Sequence, residues 1–415
     1  MTRREFSSLE FVENSDMKKS VNRKKFSESS LRNLFALGFV SFFTDMSSEM
    51  VFSLIPTFLL SLPGSSKAVL GLIEGTAEAL SYILRAVSGI FSDKFRKRKL
   101  LVFVGYGISN AVKPLFAIVK APFDVFVIRV SDRVGKGVRT SPRDALLSES
   151  ISEKRRGVAF GLHRTLDQAG AISGPVIASV AMIILDLSMR DVFWLSLIPG
   201  TIALVIILFF VKDRGGKSSS EFRMLEGIKN VLKGDFSLLL IIFGIFSLGA
   251  FNFSFILLNA KEAEIADSLI PLVYALVNIA HTAIAIPAGL LSDKIRKEKV
   301  MLLGYGIFFS TVMLILFLPT NASNALLVAV LYGAYFGIIE TVQRALIPDY
   351  VEKLSIGTAY GLYYLVVGSA FFLSNLVVGV LWEHVGASIA SAYCGITSII
   401  AIISMIIFIN KNVHM

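Results

Sequence analysis

Long apolar segments recur along nearly the whole chain and restrict its fold more than any other feature. Each is about 20 residues long, which lets a helix cross the hydrocarbon core of a bilayer. The chain is 54% hydrophobic and 17% charged, with a mean hydropathy of +0.70, and is far more apolar than a soluble domain. We therefore predict an all-α polytopic membrane protein embedded in a lipid bilayer. Twelve transmembrane helices are predicted, at residues 33–60, 68–91, 100–119, 123–147, 157–185, 191–211, 236–258, 267–291, 299–318, 323–346, 356–382 and 388–410.

The remaining composition argues against several other classes of protein. The net charge of +10 could suggest nucleic-acid binding, but no soluble segment is long enough to concentrate basic residues, so no nucleic-acid partner is expected. A single cysteine, Cys394, excludes an internal disulfide. The 4 histidines lack ligand spacing, so we expect no metal and no cofactor. The sequence has no nucleophile elbow and no Walker loop, which argues against an enzyme and an ATP-driven pump.

Basic residues cluster in alternate connections between the predicted helices, whereas the other connections contain few. Basic loops remain on the cytoplasmic side of a membrane. We therefore predict a multi-pass protein of the cell membrane with both termini in the cytoplasm. The expected organisation is a cytoplasmic tail at 1–31, a six-helix bundle at 32–212, a cytoplasmic linker at 213–235, a second six-helix bundle at 236–410 and a short cytoplasmic tail at 411–415.

An internal repeat relates the two predicted bundles. Residues 89–99 (GIFSDKFRKRK) return at 289–299 (GLLSDKIRKEK), and residues 157–162 (GVAFGL) return at 357–362 (GTAYGL). Both matches have the same spacing of 200 residues. Because six helices separate the copies, the copies have the same orientation in the membrane. This pattern indicates two bundles related by a rotation axis along the membrane normal.

The fourth predicted helix carries far more charge than a lipid-facing helix tolerates. Because a helix turns about 100° per residue, its basic residues occupy roughly one third of the circumference. A basic residue at the bilayer centre is unfavourable by about 2.5–3.5 kcal/mol, so the stripe is predicted to line an internal cavity. The alternative is a surface helix of a soluble protein. The stripe consists of Arg129, Arg133, Lys136, Arg139 and Arg143, of which the first three are predicted to bind substrate.

Two pairs of carboxylates are predicted to face this cavity. Asp45 and Glu49 lie one turn apart in the first helix, and Glu74 and Glu78 lie one turn apart in the second. Carboxylates that share a low-dielectric cavity repel one another, which favours their protonated forms unless basic neighbours neutralise them. We predict that these four residues couple transport to proton movement. Static ion pairs with the fourth helix are the alternative for Asp45 and Glu49.

The second half contains fewer charges within its predicted helices. Its polar residues include Asn252, His281 and Glu340, and several aromatic residues surround them. These three are predicted to contact substrate on an aromatic, amide-rich wall opposite the charged wall of the first half. Simple packing is the alternative role for the aromatic residues.

Residues near the cytoplasmic ends of the helices are predicted to act as gates. Asp93 could pair with Arg139 or Arg143 at the inner end of the fourth helix, and Asp293 could pair with Arg344 at the equivalent place in the second half. Membrane-surface anchoring by basic loops is the alternative for these connections.

Two other charged sites are predicted to be structural. Lys113 is expected to extend to the outer interface near the end of its helix. Arg164 and Asp167 lie about one turn apart and are expected to form a local pair.

Several segments resemble motifs of the major facilitator superfamily. Residues 89–101 resemble its loop motif between the second and third helices, with Arg96 at the position of the second glycine. Residues 133–137 resemble its fourth-helix motif, with Lys136 at the position of a glutamine. The resemblance implies twelve helices in two pseudo-symmetric bundles.

A fifth-helix motif adds to this resemblance. Gly170, Gly174 and Pro175 match the motif associated with proton-driven exporters in this superfamily, although its following glycine pair is absent. Residues 43–50 resemble a prokaryotic branch related to drug exporters. The resemblance implies a helix-packing role in proton antiport for these three residues, whereas ordinary small-residue packing is the alternative.

These features together predict a secondary active transporter that works by alternating access. The expected activity is proton-coupled export of a small organic compound, with protons as the coupling ion, by a monomer. Uptake or exchange of an anionic metabolite is the first alternative. A membrane receptor or scaffold without transport activity is the second.

Overall fold

The computed structural model describes residues 28–95, 98–150, 156–213, 231–232, 234–352 and 356–411, and all their side chains except those of 28–31, 86, 87, 89–95, 149, 150, 156–159 and 356. Within these residues the chain is helical and contains no β-strand. The all-α prediction is confirmed. The predicted tails and most of the predicted linker at 213–235 lie outside the described residues.

The first half contains six membrane-spanning segments, called spans 1 to 6. Their helices are Glu28–Phe52 and Ile55–Leu60 (span 1), Lys67–Phe95 (span 2), Arg98–Val112 with the 3-10 helix Lys113–Ile118 (span 3), Pro122–Ser150 (span 4), Arg156–Ile184 (span 5), and Met189–Leu195 with Leu197–Phe210 (span 6).

The second half repeats this order in spans 7 to 12. Their helices are Asp235–Ser247 and Ser254–Glu262 (span 7), Ile270–Lys294 (span 8), Lys297–Phe317 (span 9), Ala322–Leu346 with the 3-10 helix Ile347–Asp349 (span 10), Ile356–His384 (span 11) and Ala387–Lys411 (span 12).

Three of the twelve spans depart from a plain apolar helix. Among the described residues, 9 helices are long and apolar enough to cross a membrane by length and composition alone. Spans 2 and 4 are too charged to qualify, and span 7 is interrupted between Ser247 and Ser254. At this interruption the Asn252 side chain accepts a hydrogen bond from the Ser254 backbone nitrogen at 2.9 Å, which replaces a helical contact. These three spans are stabilised by the protein interior rather than by lipid.

Equivalent glycines place equivalent helices in contact in the two halves. A Cβ atom on Gly105 of span 3 would lie 2.7 Å from the Arg139 Cβ atom of span 4. A Cβ atom on Gly304 of span 9 would lie 2.8 Å from the Ile339 Cδ1 atom of span 10. The repeat found in the sequence is therefore also a repeat of helix packing.

The start of span 1 at Glu28 and the end of span 12 at Lys411 lie on one side of the bundle, here called the terminus face. On this face Lys411 pairs with Asp235 at 3.2 Å, and Arg32 donates hydrogen bonds to the carbonyl groups of Phe209 and Phe210. The opposite side, here called the far face, contains the connections that start the even-numbered spans. There the Ser188 side chain caps span 6, and the Asn321 side chain caps span 10.

The two halves meet mainly along spans 2 and 11 and along spans 5 and 8. On the far side of the bundle, a Cβ atom on Gly71 would lie 2.1 Å from the Asn375 carbonyl oxygen, and one on Gly379 would lie 2.7 Å from the Lys67 carbonyl oxygen. These glycines let the backbones of spans 2 and 11 touch. The same side is closed by a hydrogen bond from Ser179 of span 5 to the carbonyl group of Ser268.

Candidate functional site

A cavity of about 240 Å³ lies between the two halves. Spans 1, 2, 4 and 5 form one wall, and spans 7, 8, 10 and 11 form the other. Eight of the ten residues predicted to couple protons or bind substrate line this cavity. They are Asp45, Glu49, Glu78, Arg133, Lys136, Asn252, His281 and Glu340.

The centre of the first wall is an ion pair between spans 2 and 4. The Arg133 Nη2 atom lies 2.7 Å from the Glu78 Oε1 atom, and the arginine is only 4% exposed. The Arg133 guanidinium also lies 5.2 Å from the centre of the Phe52 ring. The Nε and Nη1 atoms of Arg133 have no hydrogen-bond partner within the described residues. This arginine is therefore held in place while part of its hydrogen-bonding capacity is unused.

Glu74 and Arg129 do not line the cavity, which corrects the prediction for both. Arg129 donates hydrogen bonds to both carboxylate oxygens of Glu74, at 3.0 and 2.7 Å, and both side chains are almost completely buried. Phe52 covers the Arg129 guanidinium at 3.9 Å. A bidentate pair satisfies both charges without solvent, so these residues form a sealed contact between spans 2 and 4.

Asp45 and Glu49 of span 1 line the cavity, and neither forms an ion pair with a described basic residue. Asp45 lies beside Asp167 of span 5, whose carboxylate accepts a hydrogen bond from Ser41. Glu49 lies beside Tyr274 of span 8, and the Glu49 Oε2 atom lacks a hydrogen-bond partner among the described residues. Span 1 thus presents two carboxylates to the cavity without neutralising partners in direct contact.

The predicted packing glycines hold span 5 against span 1. A Cβ atom on Gly170 would lie 2.2 Å from the Phe42 carbonyl oxygen, and one on Gly174 would lie 2.4 Å from the Met46 carbonyl oxygen. Pro175 follows within the same helix. This close contact places Asp167 of span 5 next to Asp45 of span 1.

Two cavity-lining cations, Arg85 of span 2 and Lys136 of span 4, form no ion pair with a described carboxylate. The Arg85 Nε atom is buried and has no hydrogen-bond partner among the described residues. Arg85 was not among the predicted site residues. Its position could have been found in the sequence, because Glu78, Tyr82 and Arg85 follow each other at helical spacing on one face of span 2.

The second wall contains an ion-pair network centred on Glu340 of span 10. The Glu340 carboxylate lies 2.6 Å from Arg164, 3.1 Å from His281 and 3.1 Å from Arg344. Arg164 also pairs with Asp167 at 3.0 Å. The predicted local pair of Arg164 and Asp167 is therefore present, and Arg164 additionally links the two halves.

The pair predicted between Asp293 and Arg344 is not formed in this structure, and a gating role for these two residues stays a prediction. Arg344 pairs with Glu340 one turn earlier in the same helix, and Asp293 lies exposed at the end of span 8. A partner one turn away is nearer than one at the end of another helix, so the local contact forms. The side chain of Asp93, the other predicted gate, lies outside the described side chains.

Arg139 and Arg143 extend the basic stripe but do not line the cavity. Arg139 donates a hydrogen bond to the Ser109 hydroxyl at 2.7 Å and lies over the Tyr106 ring at 4.3 Å. Arg143 pairs with the adjacent Asp144 at 2.9 Å. The prediction that the whole stripe faces the cavity is therefore wrong for these two residues, because span 3 covers the half of span 4 nearer the terminus face.

Lys113 is buried rather than extended to the interface, contrary to prediction. Its Nζ atom donates hydrogen bonds to the hydroxyl groups of Ser47 at 2.6 Å and Ser48 at 3.2 Å. Both serines belong to span 1, between Asp45 and Phe52. Lys113 therefore connects span 3 to the part of span 1 that carries the cavity carboxylates.

Aromatic rings and amides complete the second wall of the cavity. Asn252 lines the cavity, and its backbone nitrogen donates a hydrogen bond to the Asn375 side chain at 2.9 Å. The rings belong to Phe246, Phe253, Tyr274, Tyr332, Tyr335, Phe336, Tyr363, Tyr364 and Phe371.

Two six-helix bundles that enclose a charged cavity within apolar spans define a class of protein, the polytopic membrane carriers. A comparison with family models identifies the family. The family model for the Major Facilitator Superfamily matches residues 37–261 and 238–414, so the chain belongs to that superfamily.

Similarity to known proteins supports this assignment. The chain is 36% identical over 358 residues to an uncharacterized MFS-type transporter of Methanocaldococcus jannaschii, which covers 85% of this chain and 89% of that protein. It is 25% identical to a protein of Cupriavidus pinatubonensis named as a probable 4-methylmuconolactone transporter, over 83% of this chain and 82% of that protein. The solved structure of a mutant of the nucleoside transporter NupG has a TM-score of 0.76 at 12% identity, over 91% of this chain and 99% of that chain, which shows a common fold.

Proposed function

We propose that the chain is a secondary transporter that moves a small organic anion together with protons by alternating access. The observation that carries this proposal is the charge arrangement of the cavity. Lys136 and Arg85 are cations that form no direct ion pair with a described residue, and they share the cavity with Asp45 and Glu49, carboxylates that likewise form no direct ion pair with a described residue.

Such an arrangement can couple a proton to an anion. When Asp45 and Glu49 are ionised, their charges act on Lys136 across the cavity and reduce its attraction for a substrate anion. Protonation of these carboxylates removes that competition. A proton and an anion then bind more favourably together than either does alone, which is the thermodynamic requirement for cotransport.

Alternating access requires contacts between the halves that can open on either side of the cavity. Within the described residues, two ion pairs cross between the halves, and they lie on opposite sides of the cavity. Lys67 pairs with Glu262 at 2.5 Å on the far face, and Arg164 pairs with Glu340 at 2.6 Å towards the terminus face. Breaking one pair while the other persists would expose the cavity to one compartment at a time. We assign the terminus face to the cytoplasm, following the distribution of basic residues.

Similarity to known proteins supports a small organic substrate. The name of the Cupriavidus relative denotes transport of a lactone. The cavity of about 240 Å³ suits a compound of about the size of such a lactone.

A second function, proton-linked export of an uncharged or cationic compound, is favoured by the contact between spans 1 and 5. Gly170 and Gly174 place Asp167 beside Asp45, and two adjacent carboxylates can exchange protons for a cation. In this case protons and substrate compete for the site, whereas with an anion they bind together.

The test uses the full-length protein in proteoliposomes that contain a pH-sensitive dye. Inward gradients of a panel of organic anions, cations and neutral compounds are imposed, and proton movement is recorded. We expect an anion to drive protons in the same direction as itself. We expect the double variant Asp45→Asn, Glu49→Gln to retain anion exchange but to lose anion-driven proton movement.

Glu352→Gln, at an exposed carboxylate of a terminus-face connection, is the control and should behave as the unmodified protein. Proton movement opposite to substrate movement would support export instead. Unchanged proton coupling in the double variant would refute the role given to Asp45 and Glu49.

A further inference from the structure

Hydrogen bonds from serine hydroxyls to backbone carbonyl groups hold spans 2 and 4 together in the region of Arg85 and Lys136. The Ser141 hydroxyl donates a hydrogen bond to the Arg85 carbonyl oxygen at 2.8 Å. The Ser88 hydroxyl donates one to the Gly137 carbonyl oxygen, also at 2.8 Å. A Cβ atom on Gly137 would lie 2.4 Å from the Leu84 Cβ atom, so the two helices touch. The two cations therefore lie close enough for the charge of Arg85 to act on Lys136, because the helices that carry them are held together.

The carboxylates around these two cations are either paired elsewhere or separated from them. Glu78 of span 2, on which both cations act, forms its ion pair with Arg133 at 2.7 Å. Asp45 and Glu49 lie on span 1, beyond ion-pair distance of Lys136. Two like charges in a low-dielectric site repel each other, and a bound anion relieves that repulsion. The buried Arg85 Nε atom, which has no hydrogen-bond partner among the described residues, supplies a donor for such an anion.

Aromatic rings lie directly beside this cation pair. The Arg85 guanidinium is 5.3 Å from the centre of the Tyr82 ring. Tyr82 stacks on Tyr364 of span 11, with ring centres 5.6 Å apart and an interplanar angle of 25°. Phe336 of span 10 also lines the cavity and is 40% exposed, which leaves a ring surface open to a ligand. Flat rings are favoured on such surfaces because stacked and edge-to-face contacts add to apolar burial.

The acidic part of the cavity restricts the ligand further. Asp45, Glu49 and Asp167, on spans 1 and 5, form the acidic side of the same cavity. A second negative charge on the ligand would meet this acidic side and would be repelled. A ligand with one anionic group at one end of a flat apolar body therefore matches both the basic and the aromatic parts of the cavity.

We propose that the transported compound is an aromatic monocarboxylate, whose carboxylate binds between Arg85 and Lys136 and whose ring packs against Tyr82, Tyr364 and Phe336. This inference rests on the proposed function and specifies the substrate class of the same site.

The test measures binding of benzoate, benzamide, benzylamine and cyclohexanecarboxylate to the purified full-length protein by calorimetry. We expect benzoate to bind at least about tenfold more tightly than benzamide or benzylamine, because only benzoate carries the anion that the cation pair requires. We expect cyclohexanecarboxylate to bind several-fold more weakly than benzoate, because it lacks the flat ring. Equal binding of benzylamine or benzamide would overturn the proposal.

Substitutions assign the contacts. Arg85→Gln and Lys136→Gln should each weaken benzoate binding about tenfold or more, whereas Lys120→Gln, at an exposed lysine of the far face, should not change it. Tyr364→Leu should weaken benzoate binding more than cyclohexanecarboxylate binding. If either glutamine variant does not fold, Lys136→Arg and Arg85→Lys keep the charge and should retain binding within a few-fold. Benzoate affinity that is unaffected by every substitution at these three residues would overturn the proposal.

Transport measurements separate this inference from the function on which it rests. If benzoate does not bind but another anion drives proton movement that depends on Asp45, the substrate class is wrong and the proposed function stands. If benzoate binds through Arg85 and Lys136 but drives no proton movement, the ligand class stands and the proposed function fails.

Discussion

The two halves of the molecule have the same helix order and nearly the same packing, yet they carry opposite chemistry at equivalent positions. At the repeat spacing of 200 residues, Glu78 corresponds to Asn278 and Arg133 corresponds to Gly333. In the first half, the Arg133 and Glu78 side chains join spans 4 and 2 by an ion pair of 2.7 Å. In the second half, a Cβ atom on Gly333 would lie 2.3 Å from the Val277 carbonyl oxygen, so spans 10 and 8 touch through their backbones.

Other equivalent contacts are preserved, which makes this difference meaningful. A Cβ atom on Gly137 would lie 2.4 Å from Leu84, and one on Gly337 would lie 3.3 Å from the Ala285 nitrogen, in the equivalent region of spans 8 and 10. One fold therefore supports two ways of joining the same pair of helices. The ion pair of the first half leaves charged groups beside the cavity. The close backbone contact at glycine in the second half leaves room for aromatic rings. The halves thus divide the proposed tasks of proton coupling and substrate packing.

The largest expected effect comes from breaking the sealed pair of the first half. Arg129→Met would leave the buried Glu74 carboxylate without its guanidinium, and we expect a loss of about 3–5 kcal/mol in the free energy of unfolding. The comparison variant is Tyr274→Phe, at the position of the second half that corresponds to Glu74, where the loss of one hydroxyl should lower the free energy of unfolding by about 1 kcal/mol. Thermal melting of the purified protein measures both.

The double variant Glu74→Gln, Arg129→Met should recover part of the lost stability, because it removes the unpaired charge as well. Melting of Arg129→Met at the temperature of the unmodified protein would contradict the view that the first half depends on paired buried charges.

The second expected effect concerns the glycine contact of the second half. Gly333→Val would force spans 8 and 10 apart and should lower the free energy of unfolding by about 1–3 kcal/mol. Gly306→Ala is the matched control, because a Cβ atom there meets nothing within 4 Å. It should be neutral or stabilising by about 0.5–1 kcal/mol, as expected for alanine in a helix. Equal melting temperatures for the two variants would show that close backbone contact is not what joins these spans.

A third, smaller effect tests how the halves are held together on the far face. Lys67 and Glu262 are each less than one third exposed, and the Trp382 Nε1 atom donates a hydrogen bond to the same carboxylate at 3.0 Å. Glu262→Gln removes the charge of a partly exposed pair, so we expect the closed state of this face to lose about 0.2–1 kcal/mol, which is roughly a 1.4- to fivefold shift towards opening on this face.

Trp382 fluorescence can report this shift, since Trp194 is the other of the 2 tryptophans and can be replaced by phenylalanine. The measurement follows quenching of Trp382 by a water-soluble quencher in the Trp194→Phe background. Quenching that is identical with and without Glu262→Gln would exclude a gating role for this pair.

The smallest effect is expected where the first half is made to resemble the second. The place of Lys113 is taken in span 9 by apolar residues, Val312 and Met313, and the Lys113 ammonium is fully buried against the hydroxyl groups of Ser47 and Ser48. Lys113→Met should change the free energy of unfolding by about 1 kcal/mol or less, because lost hydrogen bonds are offset by relief of a buried charge. Ser47 retains its hydrogen bond to the Ser196 carbonyl oxygen at 2.6 Å.

Thermal melting again provides the measurement, with Lys120→Met at an exposed lysine as the control. A loss greater than about 3 kcal/mol would show that Lys113 belongs with the indispensable buried charges of the first half.

Periodicity and apolar length predicted the spans closely, because a membrane requires each crossing segment to satisfy its own backbone hydrogen bonds as a helix. Span 5 was predicted at 157–185 and is found at Arg156–Ile184. The interruption of span 7 was missed, since the Asn252 side chain that replaces a helical hydrogen bond leaves no mark in an apolar run. The charges of spans 2 and 4 indicated an enclosed cavity before its shape was known.

Individual site residues were harder to predict, because helical periodicity gives a face but not the neighbour that covers it. Glu74 and Glu78 share a face, yet Phe52 covers Arg129 and seals the first pair, while the second borders the cavity. Arg164 was predicted to form a local pair, and its contact with Glu340 of the other half depends on how the halves meet.

The amino-acid sequence alone determined the membrane class, the twelve spans, the two-fold repeat and the higher charge of the first half, since these depend on local composition and spacing. The tertiary structure decided which charges pair, which face the cavity and which cross between the halves. Those outcomes depend on distances of a few ångströms between side chains far apart in the chain, and electrostatic energies in a low-dielectric interior change steeply over such distances.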